Sequence, residues 1–137
     1  MKKQISCFSA KCGDCKKPFD RPSLGSFSYG ECLLNTIDGK HYVLVSAFDS
    51  FPEKVKGLMP ENKSELFWHL LAGLADPLNE KKFTEKIVCP NCCSTNIEVV
   101  KAERVGECEV HEASFYNASK LSNAELIEHI STIIKNA

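Results

Sequence analysis

Cys12-Gly13-Asp14-Cys15 and Cys89-Pro90-Asn91-Cys92 form two C-x-x-C hooks, the spacing at which a curled backbone points two sulfurs at one ion. Amide N–H groups within such a hook donate to the sulfurs and favour the thiolate form. Two hooks supply the four thiolates that a tetrahedral structural zinc requires, and four sulfurs close the shell. A catalytic zinc keeps one position open for water, so this motif points to a structural ion and away from hydrolysis. An all-thiolate iron site could use the same hooks, because both metals accept tetrahedral thiolates; zinc is the expected ion.

The hooks are separated by 73 residues, 16 to 88, far more than in a compact finger. Loop closure scales as 1.5RT ln n, so a fivefold longer loop costs only about 1.4 kcal/mol extra. Binding a structural zinc contributes roughly 10 to 16 kcal/mol. The long insertion therefore does not defeat the site.

Other sulfur and imidazole groups are rival ligands. Cys108 and His111 have C-x-x-H spacing, but residues three apart on a continuous strand face opposite sides, and both reach one ion only if a turn intervenes. Cys7 and Cys32 sit among apolar residues and read as buried thiols, and Cys93 is expected to point away from its neighbour's metal. His41, His69 and His129 have no ligand pattern around them and read as surface or packing residues.

The elements that must position the hooks follow from periodicity and turn chemistry. Gln4 to Phe8 reads as a short strand leading into the first hook. Phe27 to Ile37 and His41 to Phe48 flank Asp38-Gly39, the signal of a two-residue type I′ hairpin. The second of these strands, Tyr42 to Val45, is apolar on both faces and belongs inside a sheet. A loop carrying Pro52, Gly57 and Pro60 is then expected, followed by a helix from Asn62 with Leu66, Phe67, Leu70, Leu71 and Leu74 on its buried stripe. Beyond the second hook, Asn96 to Ala102 and Val105 to Val110 read as a second antiparallel hairpin. Ser122 and Glu125 form a capping box, with Leu121 and Leu126 as its staple, and open an amphipathic helix over about 122–135. Its face of Leu126, Ile127, Ile130, Ile133 and Ile134 is expected to be covered by the same domain.

Around Ile5 to Phe19 and Ile87 to Val110 the chain resembles the zinc-ribbon superfamily, with Cys-Pro-Asn-Cys the most specific part. In that superfamily two cysteine knuckles on short strands clamp one zinc beside a small antiparallel sheet. The resemblance implies Cys12, Cys15, Cys89 and Cys92 as ligands, with Phe19 and Ile97 as apolar residues beside the knuckles. It also marks two departures, Lys16 and Cys93, which stand where ribbons often place glycine, a residue free to take positive φ. The expected fold is thus α+β in a single domain, 1–137: a zinc-ribbon-like antiparallel β core, an inserted hairpin and helix over 16–88, and a C-terminal amphipathic helix.

With 17 basic and 18 acidic residues, the net charge of -1 excludes a protein built chiefly to neutralise phosphates. The first 21 residues are locally basic and the stretch from Glu103 to Glu128 is acidic. The C-x-x-C spacing, the moderate share of cysteine and the ample aliphatic content favour reduced thiols in a cytoplasm over a secreted disulfide scaffold, and the protein is read as a small bacterial-type one. The apolar stretch after Met1-Lys2-Lys3 is short and interrupted by serines, so export is not expected.

No nucleophile elbow, P-loop, H-E-x-x-H or dinucleotide fingerprint is present, and no enzyme is expected. The favoured expectation is a non-catalytic protein-interaction module, an adaptor or an inhibitor of immunity type, framed by one zinc. The alternative is nucleic-acid binding through Lys11, Lys16 and Lys17 with Phe19 available to stack. A thiol-based redox role through Cys93 or an unmetallated pair is the minority reading.

Overall fold

The computed structural model describes residues 2–24, 30–98 and 104–137. Strands β1 (Lys2–Cys12) and β2 (Pro18–Pro22) flank the first hook. The insertion carries β3 (Glu31–Thr36), β4 (Tyr42–Ser46), helix α1 (Ser50–Leu58), a 3-10 segment (Glu61–Leu66) running into α2 (Phe67–Leu74), and β5 (Phe83–Thr84). After the second hook come β6 (Ile97–Glu98), β7 (Arg104–Glu112), the short α3 (Tyr116–Ser119) and α4 (Asn123–Lys135).

The α+β class holds, but the sheet is mixed. Its strands follow the order β2-β1-β7-β4-β3-β5, with β6 also paired to β1. All pairings are antiparallel except β4 with β7, which run parallel through only two residue pairs, Val43 with His111 and Leu44 with Glu112. One further bond, from the Ala113 N–H to the Leu44 carbonyl at 2.9 Å, extends this seam. The sheet is therefore two antiparallel halves, one carrying the first hook and one built from the insertion, joined by a short ladder. Zinc-ribbon character as such is not established by this topology.

Four local expectations change. The hairpin between β3 and β4 closes through a four-residue loop, 37–40, because Thr36 still bonds His41 (2.9 Å) and the Gly39 N–H bonds the Thr36 carbonyl (2.8 Å). Gly39 has φ +75° while Asp38 does not enter the left-handed region, so the type I′ geometry, which needs positive φ at both central residues, is not formed. Thr36 explains the preference: its hydroxyl donates to Asp38 at 2.6 Å and accepts the His41 N–H at 3.1 Å, which stabilises the longer loop. The expected start of this hairpin, from Phe27, lies partly outside the described residues.

The second change concerns the expected hairpin after the second hook. Ile97 and Glu98 face Cys12 and Lys11, and Arg104 faces Phe8, so β6 and β7 run in the same direction along one edge of β1. Long β1 offers a complete edge, and two collinear segments satisfy it where a separate ribbon would leave it unpaired. Residues 99–102 of the expected first strand lie outside the described residues.

Third, the proline-bearing loop is helix α1. Pro52 is tolerated because it occupies the first turn, where N–H groups have no intrahelical partner; Asp49 stands at the N-cap and Glu53 follows in the first turn. Fourth, Asn62 does not cap a continuous helix: Glu61–Leu66 is 3-10, interrupted at Lys63, and α2 begins only at Phe67.

The core lies between the insertion half of the sheet and the helices, where Leu34, Val43 and Val45 meet Val55, Leu70, Leu71, Leu126 and Ile130. Each such side chain contributes about 1.5 to 3 kcal/mol by leaving water. Tyr42–Ser46 is an interior strand, as its two-sided apolar pattern implies. Helix α4 is covered by the molecule's own helices, with Ile133 packed over Gly73 of α2, although Ile127 stays exposed. Among the described residues no helix is long and apolar enough to cross a membrane.

Candidate metal centre

The first hook continues the end of β1 and the second follows irregular backbone after β5, but both turn back on themselves in the same way. In the first, the Lys16 N–H reaches the Cys12 carbonyl at 3.0 Å and the Cys12 N–H reaches the Lys17 carbonyl at 3.1 Å. The second repeats the pattern, with Cys93 to Cys89 at 2.9 Å and Cys89 to Ser94 at 2.8 Å. The closing residues Lys16 and Cys93 both adopt positive φ, 66° and 64°. The turn thus keeps the left-handed conformation that favours glycine and bears roughly 1 to 2 kcal/mol of strain at each side chain.

The turns aim N–H groups at sulfur. Asp14 and Cys15 N–H groups point at the Cys12 sulfur, both at 3.4 Å, and the Asn91 N–H points at the Cys89 sulfur at 3.4 Å. The Cys15 amide is the largest influence on Cys12; burial opposes it, the Asp14 amide and neighbouring thiols add to it, and the thiol falls to about 6. At Cys92 the Ser94 amide pulls down, but the Cys12 partner, burial and the other thiols outweigh it and carry the group up to about 12. A bound cation would favour the thiolate form at all four sulfurs.

All four sulfurs lie within 4.8 Å of one another, and among the described residues this is the one cluster of ligand groups able to hold a metal. Cys12 and Cys92 sulfurs are 3.5 Å apart, those of Cys15 and Cys89 3.7 Å. A tetrahedron with metal–sulfur bonds of about 2.3 Å has edges of about 3.8 Å, so the donor set fits a tetrahedral ion. Cys12 and Cys89 are fully buried, Cys15 is half-buried and Cys92 is exposed.

Asp14 ties the hooks together from outside the sulfur cluster. Its carboxylate accepts the Ser94 hydroxyl and the Asn96 side-chain amide, the latter at 3.2 Å, and the Gly13 N–H bonds the Asn96 carbonyl at 2.7 Å. The Ser94 hydroxyl, then Asn96 and the nearby Lys16, hold Asp14 below the usual carboxylate range. This brace was not anticipated, although a polar residue inside one hook and two just after the other were its visible signal.

The remaining candidates stay apart from the cluster. Cys108 and His111 lie on uninterrupted β7, with no turn to bring them to one point. Cys7 is buried, Cys93 is exposed, and the half-buried Cys32 is pushed up to about 11 by burial and by Glu85. His69 pairs with Glu85 at 3.1 Å. Lys16 and Lys17 are exposed beside the first hook, Lys11 is half-buried on β1, and Phe19 is half-buried on β2 opposite Ala10. Ile97 is half-buried opposite Cys12.

Comparison with family models, with curated proteins and with solved structures finds no match for this chain. The metal centre is therefore defined by its own geometry.

Proposed function

We propose that this protein is a non-catalytic interaction module framed by one structural zinc on Cys12, Cys15, Cys89 and Cys92. The carrying observation is the closed ring of four sulfurs, whose mutual spacing fits a saturated tetrahedral shell with no position left for a substrate. The hooks belong to distant parts of the sequence, and the second abuts the tip of the inserted hairpin, so the ion would act as a crosslink. With the frame held in this way, the insertion is the surface on offer. It exposes Phe48 at 59% and Ile37 at 50%, and exposed aromatic and aliphatic groups favour a protein partner, as an adaptor or an inhibitor would meet.

The test is recovery of a partner by tagged protein from its native lysate, with and without nuclease. A specific protein retained after nuclease and lost with Ile37→Asp plus Phe48→Asp supports the module. Nucleic acid recovered instead, and lost when Lys11, Lys16 and Lys17 are reversed to glutamate, overturns it in favour of a nucleic-acid protein.

A further inference from the structure

Where the two halves of the sheet part, before the short ladder at Val43, they leave a cavity of about 630 Å³. Pro22, Val43, Leu78, Phe83 and Val110 give it a wall that is mostly apolar by area. Asp20, Asp76, Glu109 and Glu112 also line it, and its size lies within the range of small-molecule sites. Tyr42 and Pro22 also line a second cavity of about 230 Å³, whose walls include Arg21, Leu33 and Ile87. Tyr42 and Pro22 thus border both spaces, and Arg21 borders the smaller one.

Among the described residues two buried side-chain polar atoms have no hydrogen-bond partner, the Tyr42 hydroxyl and the Arg21 Nε. Both residues line the smaller cavity, and each of the two atoms can donate a hydrogen bond. Arginine carries no acceptor at all. Burial pushes the Tyr42 phenol up to about 12, against the pull of Arg21, which keeps it protonated. Each unpartnered buried donor costs about 1 to 3 kcal/mol, so the pair is receptive to one acceptor group.

Charge narrows the acceptor. The two acids lining the smaller cavity are already engaged, Glu31 with Lys3 at 3.4 Å and Glu85 with His69 at 3.1 Å, whereas Arg21 makes no ion pair among the described residues. A planar monoanion suits a guanidinium edge and a hydroxyl, while a phosphate dianion would face the two neighbouring carboxylates.

We propose that the cleft between the half-sheets binds a small apolar carboxylic acid, its carboxylate held by Arg21 and Tyr42 and its hydrocarbon in the larger cavity. Both donor atoms are sealed from solvent in the resting arrangement, so the ligand reaches them by displacing the Tyr42 side chain, which borders both spaces. The site is independent of the metal reading, since none of the four hook cysteines lines either cavity.

The experiment is calorimetric titration of the full metal-loaded chain with octanoate, with octanamide as the neutral match. Saturable one-to-one binding of octanoate is expected, at least tenfold tighter than octanamide, and weakened at least tenfold by Arg21→Met and severalfold by Tyr42→Phe. Absence of saturable octanoate binding, equal affinity for octanamide, or indifference to Tyr42→Phe overturns the proposal. Should Arg21→Met fail to fold, the acid-to-amide ratio and the conservative Tyr42→Phe variant decide.

Discussion

Gly39, at the tip of the inserted hairpin, stands directly against Val88 at the entrance to the second hook. A Cβ on Gly39 would lie 2.6 Å from the Val88 carbonyl oxygen and 2.9 Å from the Pro90 nitrogen. Its φ of +75° is a second reason that only glycine suits the position. The turn that closes the hairpin is therefore also the surface on which half of the sulfur cluster rests.

Gly39→Ala should cost about 1 to 2 kcal/mol from the left-handed backbone alone, and more from the contact with backbone that cannot swing aside. Denaturant unfolding measures the loss, and competition with a chelating dye should show faster metal release. Unchanged metal retention would separate the hairpin from the site.

Asn35 makes the polar counterpart of that contact. Buried on β3, it donates to the His41 carbonyl and accepts the Val88 N–H, each at 2.9 Å. Asn35→Ala should destabilise by about 1 to 3 kcal/mol through the orphaned Val88 amide, with the second hook losing hydrogen-exchange protection before the first.

Metal content gives the most direct check on the sulfur cluster. One ion per chain is expected, and cobalt substitution should give the visible bands of a tetrahedral tetrathiolate. Cys12→Ser or Cys89→Ser should abolish those bands and shift unfolding to lower denaturant, whereas Cys93→Ser should leave stoichiometry intact.

Cys93→Gly should relieve the strain at φ 64°. The gain should be about 0.5 to 1 kcal/mol after the greater freedom of glycine in the unfolded chain is subtracted. A rise in Tm with unchanged metal content is the expected result, and Cys93→Ala, which keeps a side chain, should not reproduce it.

The capping box of α4 supplies a pH dependence. The Ser122 N–H donates to the Glu125 carboxylate at 3.1 Å, and the Ser122 hydroxyl accepts the Glu125 N–H at 3.2 Å. The Ser122 amide, its hydroxyl and nearby His129 hold Glu125 below its ordinary 4.5. A lowered folded value means that this stabilisation is complete above 4.5 and is lost as pH falls through the folded value. Glu125→Gln should flatten the stability curve in that acidic window, and Ser122→Ala should cost about 1 kcal/mol at neutral pH.

Legibility in the sequence tracked locality. The hooks, the interior strand Tyr42–Ser46 and the capped helix α4 were readable because each is encoded by residues within a few positions of one another. Helix α1 was obscured by Pro52, a residue that breaks helices everywhere except the first turn. The collinear placement of β6 and β7 on β1 was hidden because strand pairing depends on which edge remains open in three dimensions.

By itself the sequence determined the chemistry of this protein: two thiol pairs spaced to share an ion, an apolar pattern sufficient for a core, and a helix with both its start and its buried face encoded locally. Only the tertiary structure decided that the sulfurs converge, that the inserted hairpin buttresses the second hook, and that a two-residue parallel ladder leaves a cleft beside Tyr42. The division has a physical cause. Turn and capping preferences act over a few residues, whereas convergence and cavities depend on distant segments whose pairing is selected by the free energy of the whole packed chain.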